Sequence, residues 1–140
     1  MQGTVLAFDF GTRKIGVALG NTITGTATPL TTLHESSKAG RRAAIGELIA
    51  QWGPVLLVVG RPLHDDGTKH AVTALADKFA RNLHHDFSLP VQQIDERYTT
   101  QMAEIERSQA PARQAHVGRD AVAAQIILQA WLDEHAAGPR

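Results

Sequence analysis

Val5-Leu6-Ala7-Phe8-Asp9-Phe10-Gly11-Thr12-Arg13-Lys14-Ile15-Gly16-Val17-Ala18-Leu19-Gly20 sets a single carboxylate inside otherwise apolar strand sequence. In residues 5–10, Val5 and Ala7 share the side of Asp9, while Leu6, Phe8 and Phe10 take the other. Apolar groups on both faces place such a strand in the middle of a sheet. A carboxylate there is costly unless a cation, hydrogen-bond donors or a metal accompanies it, because desolvation penalises the charged form. Gly11-Thr12 breaks the strand and residues 15–20 resume an extended apolar run, so the stretch predicts a hairpin with Arg13 and Lys14 near its turn. A turn cap through Thr12 or an ion pair with Arg13 would satisfy Asp9 equally well, and the rest of the chain has to decide.

Working outward, residues 24–33 are rich in β-branched side chains and predict a third strand, with Pro29 marking an edge or a bulge. Residues 34–40 read as a polar connection. Ile45, Leu48, Ile49 and Trp52 then recur at helical spacing, in a helix ended near Gly53-Pro54. Residues 55–60 are a continuous apolar run between prolines and predict a strand buried on both faces, hence an α/β fold. Asp65-Asp66-Gly67 signals a turn, with Thr68 as candidate N-cap of a second helix carrying Val72, Leu75, Ala76, Phe79 and Leu83 and fraying through His84-His85-Asp86. Ligands of α/β sheets bind outside the carboxyl ends of strands, which makes Arg61, His64 and Lys69 candidates for contacting an anion. His84 and His85 are adjacent and do not face one another on a helix, so they read as an exposed polar end rather than a metal site.

Residues 91–95 predict a short strand leading through Asp95, Glu96 and Arg97 to a helix that Thr99 or Thr100 can cap. Strand alternation sends Asp95 and Glu96 to opposite faces, so at most one of them turns toward Asp9. A local Asp95–Arg97 ion pair is the plain structural alternative. Residues 108–118 lack periodicity and predict a loop bearing Arg113 and His116. The last helix runs from Asp120 to about Glu134, with Ala123, Ala124, Ile127 and Trp131 on the side of Asp120. A first-turn acid gains from the free amides of a helix on any side, so its inward placement is informative.

The 140 residues suit one domain, with 14 Lys and Arg against 14 Asp and Glu and no cysteine. That balance excludes a wholesale basic coat, a disulfide framework, a thiolate metal site and a cysteine nucleophile. Asp9, Arg13 and Lys14 interrupt any signal-peptide core, and no apolar run approaches a membrane span, so the expected setting is soluble and cytoplasmic.

Asp9, Glu96 and Asp120 are the separated acids whose convergence would demand Mg²⁺ or Mn²⁺, hard ions that prefer oxygen ligands and phosphates. The motifs at residues 9–18, 60–63 (Gly60-Arg61-Pro62-Leu63), 66–68 (Asp66-Gly67-Thr68), 95–97 (Asp95-Glu96-Arg97) and 120–128 resemble those of the YqgF/RuvX family over nearly the whole chain. The resemblance implies an RNase H-like fold, a mixed five-stranded sheet with three antiparallel strands and then parallel ones, flanked by helices, as a single domain over residues 1–140. It also implies a nuclease that processes the 5′ end of pre-16S ribosomal RNA, or a Holliday junction resolvase acting on branched DNA, with a homodimer as one assembly open to it. By the same resemblance Asp9, Glu96 and Asp120 are the catalytic and metal-binding acids, and Arg97 and Thr99 support the site. Arg13, Lys14 and Arg61 join them as substrate-binding candidates, and the choice between Asp95 and Glu96 stays open.

Two other classes compete. Asp9-Phe10-Gly11-Thr12 also looks like the first phosphate loop of actin-like ATPases and sugar kinases, which close two such domains around a nucleotide. A non-catalytic nucleic-acid-binding module, its acids serving the fold, is the other.

Overall fold

The computed structural model describes residues 2–98 and 118–136. Its strands are β1 (Thr4–Phe10), β2 (Ile15–Asn21), β3 (Thr26–Leu33), β4 (Leu56–Arg61) and β5 (Val91–Asp95), and its helices α1 (Lys38–Trp52), α2 (Ala71–Phe87) and α3 (Arg119–Ala136). The strands form one sheet in the order β3-β2-β1-β4-β5. The first three are antiparallel, and β4 and β5 run parallel to β1.

β1 lies at the centre as its two apolar faces require. Leu6 and Phe8 face a cluster with Ile15, Val17, Leu57, Val59, Ile45 of α1 and Ala80 and Leu83 of α2. Val5 and Ala7 face the opposite cluster, built with Val58 and Ile94 and closed by Ala124, Ile127, Leu128, Trp131 and Leu132 of α3. Each fully buried aliphatic side chain here is worth about 1.5–3 kcal/mol, so α3 is held by one apolar face rather than by helix propensity. The buried Trp131 indole donates from Nε1 to Gln92 Oε1 at 2.9 Å.

Both signals read at Pro29 are realised, since β3 is an edge strand and the register slips between Val17 and Ala18, so that Ala18 pairs with Pro29. α3 covers part of that edge. Gln125 donates to the Ala27 carbonyl at 3.1 Å, and Gln129 accepts from the Ala27 amide and donates to the Gly25 carbonyl.

The helix starts differ from expectation for local reasons. Ser37 caps α1 by accepting from the Gly40 amide, which draws the polar connection into the first turn. The apolar stripe of α1 packs through Ile49, and Trp52 stays 36% exposed outside both clusters. Thr68 does not cap α2, because its hydroxyl is spent on Asp66 at 2.7 Å in a tight turn. His70 caps instead: its Nδ1 accepts from the Val72 amide, while the Thr73 hydroxyl accepts from the His70 amide and donates to the Pro62 carbonyl. α2 continues unfrayed to Phe87, where Ser88 takes the left-handed conformation. Leu75, expected on the packed stripe, is 43% exposed.

Candidate functional site

Asp9 is the last residue but one of β1, on the face that α3 covers. It pairs across the sheet with Gly16 of β2, and Gly16 pairs in turn with Thr32 of β3. Over Gly16 lies the first turn of α3: a Cβ added there would stand 1.8 Å from the Asp120 carbonyl oxygen. The absence of a side chain on Gly16 is what lets α3 deliver Asp120 beside Asp9.

The same device recurs on the other flank. Gly60 follows Val59, the β4 partner of Phe8, and a Cβ on it would meet Glu96 Cγ and Cδ at 3.0 Å and Ile127 Cδ1 at 2.7 Å. Glu96 therefore lies over the α3 face of the sheet, beyond the end of β5.

Alternation separates Asp95 from Glu96. Ile94 belongs to the α3 cluster, so Asp95 turns to the α2 side, opposite Arg61 in the register. There its carboxylate accepts from Arg97 Nε at 2.9 Å and Nη2 at 2.6 Å, and from the Arg97 amide at 2.9 Å. These bonds hold the Asp95 carboxyl well below the usual range. The Asp95–Arg97 pair thus braces the single turn from which Glu96 projects, and Arg97 also reaches the Asp65 carbonyl at 3.3 Å.

Electrostatics single out the α3 side. Burial, reinforced by the charge of Asp120, raises the Asp9 carboxyl to about 6. Burial, then the charges of Asp9 and Asp95, raises Glu96 to about 7. Asp9 of β1 thus lies within reach of the charge of Asp120, and Glu96 within reach of that of Asp9. Among the described residues, no three His, Asp or Glu side chains stand close enough together to hold an ion as they are placed.

Arg13 and Lys14 are exposed at the β1–β2 turn, one strand end from Asp9. Arg61 is not brought to this site. As the alternate of Gly60 it projects to the α2 face, where Asp77 accepts from its Nε at 2.9 Å and its Nη2 at 3.2 Å. Lys69 is 4.0 Å from the same carboxylate, and the His64 ring packs on His70. Thr99, Thr100, Arg113 and His116 lie outside the described residues.

Two contributions escaped sequence reading. Arg41 of α1 donates to the carbonyls of Gly11 at 2.8 Å, Thr12 at 2.7 Å and Glu35 at 2.7 Å, with its guanidinium 5.5 Å from the Phe10 ring, and so fastens the turn that follows Asp9. Thr32, His34 and Arg119 line a groove beside Asp120. Only glycine within strand sequence, at Gly16 and Gly60, offered a signal of close approach.

A mixed five-stranded sheet in the order β3-β2-β1-β4-β5, covered by α1 and α2 on one face and α3 on the other, defines an RNase H-like fold. Residues 3–134 match the family model described as "RuvX: Holliday junction resolvase", and the chain belongs to that family. It is 51% identical over 134 residues to a protein of Dechloromonas aromatica, covering 94% of this chain and 92% of the relative. A Nitrosomonas europaea relative is 49% identical over 139 residues, covering 97% of this chain and 94% of the relative. Both carry the name "Putative pre-16S rRNA nuclease". Among solved structures, Thermus thermophilus RuvC in complex with Holliday junction substrate aligns with a TM-score of 0.63 at 15% identity, over 96% of each chain. That likeness is one of fold.

Proposed function

We propose that residues 1–140 act as a single nuclease domain, a divalent-metal-dependent endonuclease that processes the 5′ end of precursor 16S ribosomal RNA in the cytoplasm. What supports this reading is that Asp9, Glu96 and Asp120 all stand on the side of the sheet that α3 covers, Glu96 over Gly60 and the Asp120 backbone over Gly16, with burial and neighbouring charge raising the Asp9 carboxyl to about 6 and that of Glu96 to about 7. The names of the relatives and their near-complete coverage supply the substrate.

The donor set fits a hard divalent cation. It consists of carboxylate oxygens whose mutual repulsion a cation would relieve. Asp9, Glu96 and Asp120 would hold Mg²⁺ or Mn²⁺. Bound there, such ions supply Lewis-acid polarisation of the phosphodiester and a water of lowered pKa. The chain contributes the placement: Asp95 and Arg97 brace Glu96, and Gly16 seats α3 so that Asp120 stands beside Asp9. Arg41 holds the turn that presents Arg13 and Lys14 to the phosphates of the substrate.

A second reading, resolution of branched DNA, is favoured by the family description. A homodimer would suit it, because a four-way junction must be cut in two strands. Cleavage of precursor ribosomal RNA and of a four-way DNA junction in Mn²⁺, comparing wild type with Glu96→Gln, tests both. RNA cleavage lost in the variant supports the first reading, and cleavage confined to the junction overturns it in favour of the second. Cleavage of neither substrate removes the nuclease reading.

A further inference from the structure

A groove runs beside Asp120 on the β3 side. It spans about 640 Å³ and is lined by Lys14 of the β1–β2 turn, Thr31, Thr32 and His34 at the end of β3, and Arg119 and Asp120 of α3. Lys14, His34 and Arg119 are exposed, and Thr32 lies in the same cross-sheet row as Gly16 and Asp9. Asp120 belongs both to this groove and to the acidic site, so the two are continuous.

Resting on the nuclease reading, we infer that this groove holds the backbone of the substrate strand on the β3 side of the scissile phosphate, with Lys14 and Arg119 each gripping a phosphate.

The chemistry of the lining argues for a phosphodiester chain rather than an apolar ligand. Two exposed cations, Lys14 and Arg119, oppose the carboxylate of Asp120, and two hydroxyls and an imidazole supply further donors beside the apolar Leu30. The depression between α1 and α2 also carries cations, Lys38, Arg41, Arg42 and Lys78, around Phe10 and Phe79, but it opens on the face of the sheet opposite the acids. Placement argues for the same occupant. Thr32 and Asp9 are two strands apart in one row, on the order of 10 Å. A strand entering past Lys14 and Arg119 reaches Asp9 within a few nucleotides and leaves toward Glu96. The acids select the bond to be cut and the groove sets the direction of approach.

The test uses the full-length Asp9→Asn protein, so that binding is read without cleavage. Fluorescence anisotropy with a labelled single-stranded RNA and the DNA of the same sequence, across a KCl series, compares it with the same protein carrying Lys14→Ala, Arg119→Ala or, as a far-face control, Lys78→Ala. Thermal melts establish that each variant is folded. We expect Lys14→Ala and Arg119→Ala each to weaken binding about 5- to 20-fold on both nucleic acids and to reduce the salt slope by about 0.7, the value for one phosphate of a single strand. Arg119→Lys restores most of the affinity, and Lys78→Ala stays within twofold. If Asp9→Asn binds but both groove variants match it, the groove is overturned while the nuclease reading stands. A loss confined to RNA overturns phosphate recognition. Failure of Asp9→Asn to bind either nucleic acid brings down the nuclease reading and the groove with it.

Discussion

Gly16 lies directly beneath Asp120, so closely that any Cβ on the glycine would stand 1.8 Å from the Asp120 carbonyl oxygen, deep inside contact distance. The contact is backbone against backbone and cannot be relieved by turning a side chain. Gly16→Ala should therefore push the start of α3 off β2, costing about 2–4 kcal/mol and abolishing cleavage by displacing Asp120. Gly60→Ala meets only side-chain atoms, those of Ile127 and Glu96. It should cost about 1–2 kcal/mol while still reducing cleavage at least tenfold, because Glu96 must move. Urea denaturation together with initial cleavage rates separates the two, and equal stability losses would contradict this account.

The raised carboxyls of Asp9 and Glu96 have a defined pH signature. Their native values, about 6 and about 7, lie above the ordinary 3.8 and 4.5, so between roughly pH 4 and 7 the folded chain binds more protons than the unfolded one. The stability of the cation-free protein should fall as pH rises through that window. Asp9→Asn and Glu96→Gln should each stabilise it at pH 8 by on the order of 1–3 kcal/mol, and by little at pH 4. Chemical denaturation at the two pH values measures the difference, and a pH-independent effect would place these acids in water.

Divalent cations should reverse that penalty. Mg²⁺ or Mn²⁺ at about 100 times its dissociation constant should raise stability by about 2.7 kcal/mol. The gain should be larger at pH 8 than at pH 5, where protons compete for the same oxygens. Calorimetric titration at pH 6.5 in buffers of different ionisation enthalpy should reveal proton release, which Asp9→Asn should diminish. Cation binding unchanged in Asp9→Asn would locate the ion elsewhere.

Arg41 joins α1 to the turn after Asp9 through the carbonyls of Gly11 and Thr12, and holds the Glu35 carbonyl of the connection before α1 as its third acceptor. Arg41→Ala should cost about 1–3 kcal/mol and raise KM more than it lowers kcat, since the loosened turn carries Arg13 and Lys14 rather than the acids. Lysine at this position should recover little, as one ammonium cannot span three acceptors in the fixed fork of a guanidinium. Melting curves and steady-state kinetics on the same preparations test both statements.

Period-two alternation and apolar runs were enough to place β1, β2, β3, β4 and β5 in the sequence, because each strand buries one or both faces and side-chain direction follows from the backbone alone. The same rule separated Asp95 from Glu96, and the inward face of α3 was written in Ala124, Ile127 and Trp131. Which of the two acids turns toward Asp9 was not, since that depends on Ile94 facing α3 rather than α2. Nor was the fate of Arg61, whose partner Asp77 comes from a helix sixteen residues on. The grip of Arg41 on Gly11 and Thr12 and the groove between β3 and α3 are likewise tertiary. Local sequence specifies direction and periodicity, whereas the meeting of groups distant along the chain is decided by how helices seat on the sheet. Here that seating is governed by two glycines and the side chains they leave room for.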